Sequence, residues 1–280
     1  MHTMIDVFHF EFMRNALCAG ILTAVICGVI GTLIVVNRLV FLSGGIAHSA
    51  YGGVGLAFFM GWPYMAGAVG FSFVVAMIMA AVSQHSKERA DTIVGVLWAM
   101  GMASGILLLD LTPGYNVDLM SYLFGSILSV PRSDLVAMAI ICAVILAIVA
   151  FYYGDILSMS YDEEFARTRG IPVQWLYYLM IGMVSITVVM VVQVVGLILV
   201  IALMTIPPSI AEKYTKSLLG MMIVSCILGI TFISGGLWLS YRFDLTSGAA
   251  IIFFAGITFF LSVLMDRILV MTRSFAGAVR

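Results

Sequence analysis

Charge is the property that this sequence has least of. Only 10% of its 280 residues are Asp, Glu, Lys or Arg, and the formal net charge at pH 7 is -1. Hydrophobic residues make up 63% of the chain, and its mean hydropathy is +1.17. A soluble domain is nearer ~45–50% apolar and ~25% charged, so this composition indicates a polytopic protein embedded in membrane lipid. It leaves no room for a sizeable water-soluble domain, and it excludes a basic surface for nucleic acid.

The sequence also lacks the motifs of common enzymes. It has no HExxH, no GxSxG and no phosphate-binding GxxxxGK[ST] segment. We therefore expect a chain that is not an enzyme, holds no tightly bound cofactor and does not hydrolyse nucleotide by itself. The apolar runs contain no set of carboxylates, which disfavours a proton-driven carrier.

Cysteine is scarce, and its placement predicts no bridge. The four cysteines all lie inside apolar runs and form no CxxC pair, so they do not indicate whether the chain lies in an oxidising or a reducing compartment. The residues before Arg14 carry Asp6 and Glu11 instead of a basic segment. We therefore interpret the first apolar run as an uncleaved span and not as a signal peptide.

Apolar runs of about 20 residues predict membrane-spanning helices. We place them at 12–36, 43–61, 64–82, 92–109, 134–153, 175–211, 218–239 and 246–265. The run 175–211 is long enough to be broken near Gln193 and Gly196. The sequence thus predicts an all-α fold of eight or nine spans, forming a single transmembrane domain over residues 1–280.

Two further details of the chain path are predicted from proline. Pro207 and Pro208 are expected to end the long apolar run, because proline has no amide hydrogen to donate. The segment 212–216 would then be a short charged loop. The segment 119–130 is too short to span easily and ends before Pro131, so we expect a re-entrant or interfacial helix there.

The distribution of Lys and Arg predicts the orientation in a cell membrane. These residues cluster in four segments: 83–91, 154–174, 212–216 and the C-terminal tail. The positive-inside rule places those segments and the C-terminus in the cytoplasm. Three other segments then face outside: 61–63, 110–118 and 240–245. The side of the N-terminus stays open, because Arg14 and Arg38 flank the first span at both ends.

The stretch 43–61 is rich in glycine and carries a single histidine, His48. On a helix of ~3.6 residues per turn, His48, Gly52, Gly55 and Phe59 share one face. Small residues on that face would let a neighbouring backbone approach closely. An ionisable side chain there is costly in lipid, so we expect the imidazole to face the bundle interior or a cavity. It is either a buried histidine bonded to a carbonyl or a ligand on an ion path.

Two carboxylates, Asp110 and Asp118, lie in a polar turn that contains no cation. Imidazole and carboxylate together suit a divalent cation such as zinc or manganese, so we predict a metal pathway formed by His48, Asp118 and Asp110. A solvated turn with helix capping is the alternative for both aspartates. The 20 methionines are interpreted as packing residues, and none is assigned to the pathway.

Two cytoplasmic segments are candidates for contact with a separate ATPase. The segment 162–170 predicts a short amphipathic helix, and its E-x-A-x-x-x-G spacing is similar to the coupling loop of many permeases. A generic solvated loop is the alternative there. The proline-containing segment 205–219 is the second candidate. The residues that we assign to coupling are Glu164, Ala166, Gly170, Pro207, Glu212 and Lys213.

Four motifs occur in order along most of the chain. They read FLSGGIAHSAYGGVGLAFFMG at 41–61, VDLMSYLFGSIL at 117–128, DEEFARTRGIPV at 162–173 and VVGLILVIALMTIPPSIA at 194–211. Together they resemble the ABC-3 family, the permease subunits of zinc and manganese ABC importers. The resemblance implies a type II importer-like fold and a homodimer. It also implies an ATP-binding cassette subunit, an extracytoplasmic metal-binding protein, and a metal path near His48 and Asp118.

One position departs from the family pattern. Members with the "GDA" form carry an aspartate four residues before the histidine, and this chain has Gly44 there. A family-style carboxylate ligand would therefore be missing from this helix, leaving a weaker site or one completed by Asp118.

These observations predict an all-α permease that passes a divalent metal ion, zinc first, inward by alternating access through a dimer of itself. ATP hydrolysis on a separate subunit would drive the cycle. The nearest alternative is the same machine for manganese or iron, because imidazole binds all three. A secondary metal carrier is an alternative of another class. An intramembrane enzyme is disfavoured, because no nucleophile–base pair is visible.

Overall fold

Long apolar runs become helices because a chain in lipid must satisfy its backbone hydrogen bonds internally. A computed structural model describes residues 11–85, 89–113, 125, 127 and 130–278, with the side chains at 12 and 269–278 excepted. Over these residues the chain forms α-helices and no strand. The helices are α1 (Glu11–Val36), α2 (Val40–Met60), α3 (Tyr64–His85), α4 (Ala90–Asp110), α5 (Arg132–Phe151), α6 (Tyr153–Tyr161), α7 (Glu163–Thr168), α8 (Val173–Val195), α9 (Leu197–Tyr214), α10 (Leu218–Phe243) and α11 (Ser247–Ala278).

Eight of the described helices are long and apolar enough to cross a membrane: α1, α3, α4, α5, α8, α9, α10 and α11. The helix α2 has 21 residues, which at ~1.5 Å each also reaches the ~30 Å of a hydrocarbon core. Its glycines, serines and histidine lower its hydropathy, so α2 is not counted among the eight apolar helices. The all-α fold and the predicted number of spans are therefore confirmed.

The centre of the bundle is formed by α1 and α8. Their most apolar windows are 72% and 78% buried, against 22% for those of α4 and α5. Central helices need an apolar surface all round, and α8 supplies one with valine, methionine and isoleucine on every side. The peripheral helices α4 and α5 instead leave large apolar side chains exposed, as expected for a surface that meets lipid.

A single residue separates α8 from α9. Gly196 adopts φ +83° and ψ 163°, a conformation available essentially only to glycine, so the predicted break near this position is confirmed. The backbone of Gly125 packs directly on this break, since a Cβ on Gly125 would lie 2.8 Å from the Cα of Gly196. Most of the segment 119–130, expected to form a re-entrant helix, lies outside the described residues.

The expected end of the run at Pro207 and Pro208 is wrong, because both prolines lie inside α9, which continues to Tyr214. Pro208 cannot donate to the carbonyl of Met204, one turn earlier. The neighbouring helix α1 covers that carbonyl at Gly31, where a Cβ would lie 2.5 Å from the Met204 oxygen. Neighbouring helices make such breaks tolerable in membrane bundles, so the helix continues through the prolines. The segment 212–216, expected to be a loop, is helical through its first three residues.

The helices bring the predicted cytoplasmic segments to one end of the bundle. Asn37, after α1, donates to the hydroxyl of Ser160 at 3.0 Å, and the Leu219 amide of α10 donates to the hydroxyl of Tyr153 at 3.1 Å. Of the basic residues whose side chains are described, seven lie at this end: Arg38, Arg89, Arg167, Arg169, Lys213, Lys216 and Arg267. Three lie at the opposite end: Arg14, Arg132 and Arg242. The start of α1 is at that opposite end, where Glu11 pairs with Arg132.

Candidate functional site

The helices α2 and α4 are held together by glycine. A Cβ on Gly52 would lie 2.6 Å from the carbonyl oxygen of Gly101, and one on Gly55 would lie 2.7 Å from the Cα of Gly105. These distances leave no space for a side chain, so the two backbones touch. The close approach that the glycine spacing predicted on the His48 face is therefore confirmed.

His48 lies in the N-terminal half of α2 and is half-buried. Its imidazole stacks on the indole of Trp98 in α4, with ring centroids 4.3 Å apart and planes tilted by 16°. Its Nδ1 atom is buried and has no hydrogen-bond partner among the described residues. The structure thus shows neither of the usual partners of a structural histidine, a backbone carbonyl or a carboxylate. This arrangement differs from the buried, carbonyl-bonded histidine that was the alternative interpretation.

Open space adjoins the imidazole on the side of the preceding turn. A Cβ on Gly44 would meet no heavy atom within 4 Å, and one on Gly95 would meet only the ring of Phe41, at 3.9 Å. Gly44 lies one helical turn before His48 on α2, and Gly95 lies about one turn before Trp98 on α4. Each glycine leaves open space at its own position, and we call these two positions together the Gly44–Gly95 surface.

Asp110 does not join His48. It is exposed and is the last residue of α4, twelve residues after Trp98, which places it about 18 Å further along the helix axis. Asp118 lies outside the described residues. Within the described part of the chain, no group of three or more His, Cys, Asp or Glu side chains is close enough to hold a metal ion. The candidate site in one copy of the described chain is therefore a single imidazole, and the role of both aspartates stays a prediction.

The first coupling segment is built as the sequence predicted, as a short amphipathic helix. The carboxylate of Asp162 accepts from the Phe165 amide at 2.9 Å and caps α7. Of the assigned residues, Ala166 is fully buried and Glu164 is exposed. Gly170 ends the turn with φ +78°, which a side chain would strain. The helix therefore protrudes from the bundle on one apolar contact, with its polar side accessible.

The second coupling segment is built differently. Pro207 is buried within α9, whereas Glu212 is exposed near the end of that helix. Lys213 pairs with Asp266 of α11 at 2.9 Å and lies near the hydroxyl of Ser262 at 3.3 Å. Glu212 also lines a cavity of about 300 Å³ between the ends of α1, α6, α9 and α10. Lys213 therefore joins α9 to α11, and Glu212 remains the assigned residue of this segment that is open to a partner.

Sequence reasoning missed Trp98. It lies fifty residues after His48, and no pattern in its own segment marks it as different from other aromatic residues in spans. Its contact with His48 depends on the α2–α4 packing, which is a tertiary feature. The glycines Gly101 and Gly105 on α4 are the signal that could have indicated which helix packs on α2.

Comparison with known proteins gives a consistent result over nearly the whole chain. Residues 9–266 match the model of the ABC 3 transport family. An uncharacterized membrane protein of Synechocystis is 46% identical over 267 residues, covering 95% of each chain. The manganese transport system membrane protein MntC of Halalkalibacterium halodurans is 32% identical, covering 92% of this chain and 88% of that protein.

The fold also matches a solved structure. The structure of PsaBC from Streptococcus pneumoniae in complex with Fab superimposes with a TM-score of 0.83 at 30% identity, covering 92% of this chain and 93% of that one. The chain described here belongs to the ABC 3 transport family.

Proposed function

We propose that this chain is the membrane-spanning subunit of an ATP-driven importer of divalent metal ions, and that His48 is a metal ligand on the transport path. The observation that carries the proposal is an imidazole whose buried Nδ1 has no hydrogen-bond partner among the described residues, on the most glycine-rich described helix of a chain that belongs to a transport family. An ionisable group in a membrane span is a functional site by default, because placing it there is costly.

Manganese is the cargo that we propose first. The support is a relative, the manganese transport system membrane protein MntC, which is similar over 92% of this chain. This reverses the order expected from the sequence, where zinc came first. Zinc remains the second candidate because of one observation: Gly44 supplies no carboxylate beside His48. Manganese prefers oxygen ligands, whereas imidazole alone suits zinc at least as well.

The proposed orientation places α6, α7 and the α9–α10 turn in the cytoplasm. Its support is the positive-inside rule, because seven basic residues with described side chains lie at that end of the bundle and three at the other. In this orientation the C-terminal helix α11 would also end in the cytoplasm, and α1 would start outside. This orientation puts α7 and Glu212 where an ATP-binding cassette subunit would dock.

The proposed cycle is alternating access through a homodimer. An extracytoplasmic metal-binding protein would deliver the ion to the end that carries Asp110, and two copies of His48 would bind it transiently. Few ligands favour release, since conduction requires binding that is weak enough to leave. Closure of the ATPase would reach the bundle through α7, whose exposed polar side includes Glu164.

The experiment is uptake by vesicles that hold this chain, its ATPase and its metal-binding protein. We expect ATP-dependent accumulation of manganese, with zinc measured in parallel, and loss of uptake in His48→Ala with assembly intact. His85→Ala is the matched control, because His85 is exposed at the end of α3 and bonds only the Ala81 carbonyl. Normal uptake by His48→Ala would remove the imidazole from the mechanism.

The same vesicles distinguish the alternative of a secondary carrier. A carrier would lose uptake when the proton gradient is collapsed while ATP remains. An ATP-driven permease would keep uptake under that condition and lose it when ATP is removed.

A further inference from the structure

A metal-binding imidazole is normally held by a hydrogen bond from its second ring nitrogen, which fixes the tautomer and the ring orientation. His48 has no such bond. Its Nδ1 is buried without a partner, and among the described residues no group of acidic or thiol side chains gathers near it. If this imidazole is a ligand, another contact has to orient it.

That contact is visible on the neighbouring helix. The His48 ring lies nearly parallel to the Trp98 indole, at 4.3 Å between centroids. The indole is braced in turn by Phe41, whose ring centroid is 6.1 Å away at a tilt of 60°. Trp98 is itself anchored close by, because α2 and α4 touch at Gly52 and Gly101 just beyond the stacked pair.

The stack restrains one face of the imidazole. A flat aromatic contact fixes the plane of the ring but uses neither nitrogen. The Gly44–Gly95 surface carries no side chain one turn before the stacked pair, so an ion or a second copy can approach along it without displacing one. A metal-bound imidazole also carries positive charge, which the face of an indole favours.

We propose that Trp98 is a positioning residue for metal binding: it orients His48 by stacking, in place of the usual hydrogen bond, and it favours the metal-bound imidazole. This rests on the proposed function of His48 as a ligand. Trp98 does not touch the ion. Its removal should therefore weaken binding of the metal more than it slows the transport step.

The first test compares Trp98→Leu with Trp98→Phe in the vesicles described above. We expect KM for metal to rise about tenfold in the leucine variant, the factor that corresponds to losing an aromatic contact of ~1.4 kcal/mol. The phenylalanine variant keeps a flat ring and should stay within about threefold of the parent, and Vmax should change little in both. Trp238→Leu is the matched control, because Trp238 is 48% exposed on α10, away from α2.

The second test reads the contact directly and does not need transport. In the full-length chain with Trp62, Trp175 and Trp238 changed to Phe, Trp98 is the one remaining tryptophan of four. Its fluorescence should change on titration with manganese or zinc ions, and His48→Gln should abolish the change. If Trp98→Leu fails to assemble, this measurement still tests whether Trp98 contacts a metal-binding His48.

The two proposals fail in different ways. Normal uptake by His48→Ala would overturn the function of His48 as a ligand. Loss of uptake in that variant, combined with an unchanged KM in Trp98→Leu, would overturn the positioning role alone. The positioning role would also be overturned if Trp98 fluorescence did not change on addition of metal, or changed equally in His48→Gln.

Discussion

The substitution Gly44→Asp tests whether the missing carboxylate sets metal preference. Position 44 is one helical turn before His48, which places the two Cβ atoms ~5–6 Å apart on one face. A Cβ at this position meets nothing within 4 Å, so the aspartate enters without a clash. The variant would add an oxygen ligand beside the imidazole in each copy.

The magnitude follows from the charges. A divalent ion ~5 Å from a carboxylate is attracted by ~7 kcal/mol at an effective dielectric constant of ~20. Both groups lose water on contact, which offsets most of this gain. A net gain of ~1.4 kcal/mol lowers KM for manganese about tenfold. KM for zinc should fall less, because an added oxygen ligand favours manganese more than it favours zinc.

The assay is uptake of both metals by vesicles that contain the complete transporter. Gly44→Asn is the control, since it has the same size and no charge. Gly45→Asp is a second control, because a Cβ there lies 2.8 Å from the Val94 side chain and the position is packed. If Gly44→Asp and Gly44→Asn give the same ratio of manganese to zinc uptake, a carboxylate at position 44 does not govern the choice of metal.

Three further predictions concern how the bundle is held together. Gly55→Ala should lower the free energy of unfolding by about 2 kcal/mol, measured as thermal stability in detergent, because its methyl group would overlap the backbone of Gly105; an unchanged melting temperature would contradict the close packing. For Lys213→Met and Asp266→Asn, a double-mutant cycle should give a coupling of ~0.5–1 kcal/mol, since the side chains are 28% and 36% exposed; strictly additive effects would argue against this link. Gly170→Ala should lower the free energy of unfolding by ~1 kcal/mol, because Gly170 has φ +78°, and it should reduce the number of metal ions moved per ATP hydrolysed. An unchanged ratio of metal ions to ATP would show that α7 does not transmit the action of the ATPase.

Much of the fold could be predicted because lipid restricts the choice of structure to helices. The spans could be located from hydropathy. The break at Gly196 could be located because glycine is the residue that fits the observed backbone angles there. The capped helix α7 was predictable from local spacing, since Asp162 and Gly170 act within their own turn.

The errors arose where tertiary contacts decide. Proline rules predicted an end at Pro207 and Pro208, but they could not include the α1 backbone at Gly31, which packs against the Met204 carbonyl. Lys213 was assigned to a loop because Asp266, which binds it, is more than fifty residues away in the chain.

Of the residues at the candidate site, His48 was the one that the sequence predicted. The periodicity of glycine placed His48 on the face that meets a neighbouring helix, and the structure agrees. It could not name Trp98, because a stacking partner on α4 is determined by the packing of two helices. The separation of Asp110 from His48 likewise depends on where α4 ends relative to α2.

The contact between Gly125 and Gly196 has a mechanical consequence. Here two backbones press on each other with no side chain between them, at the elbow that joins α8 to α9. Bare backbone cannot yield by changing rotamer, so the elbow cannot bend toward residue 125 without pushing that residue aside. Any movement of α9 that pivots at Gly196 would therefore have to displace Gly125.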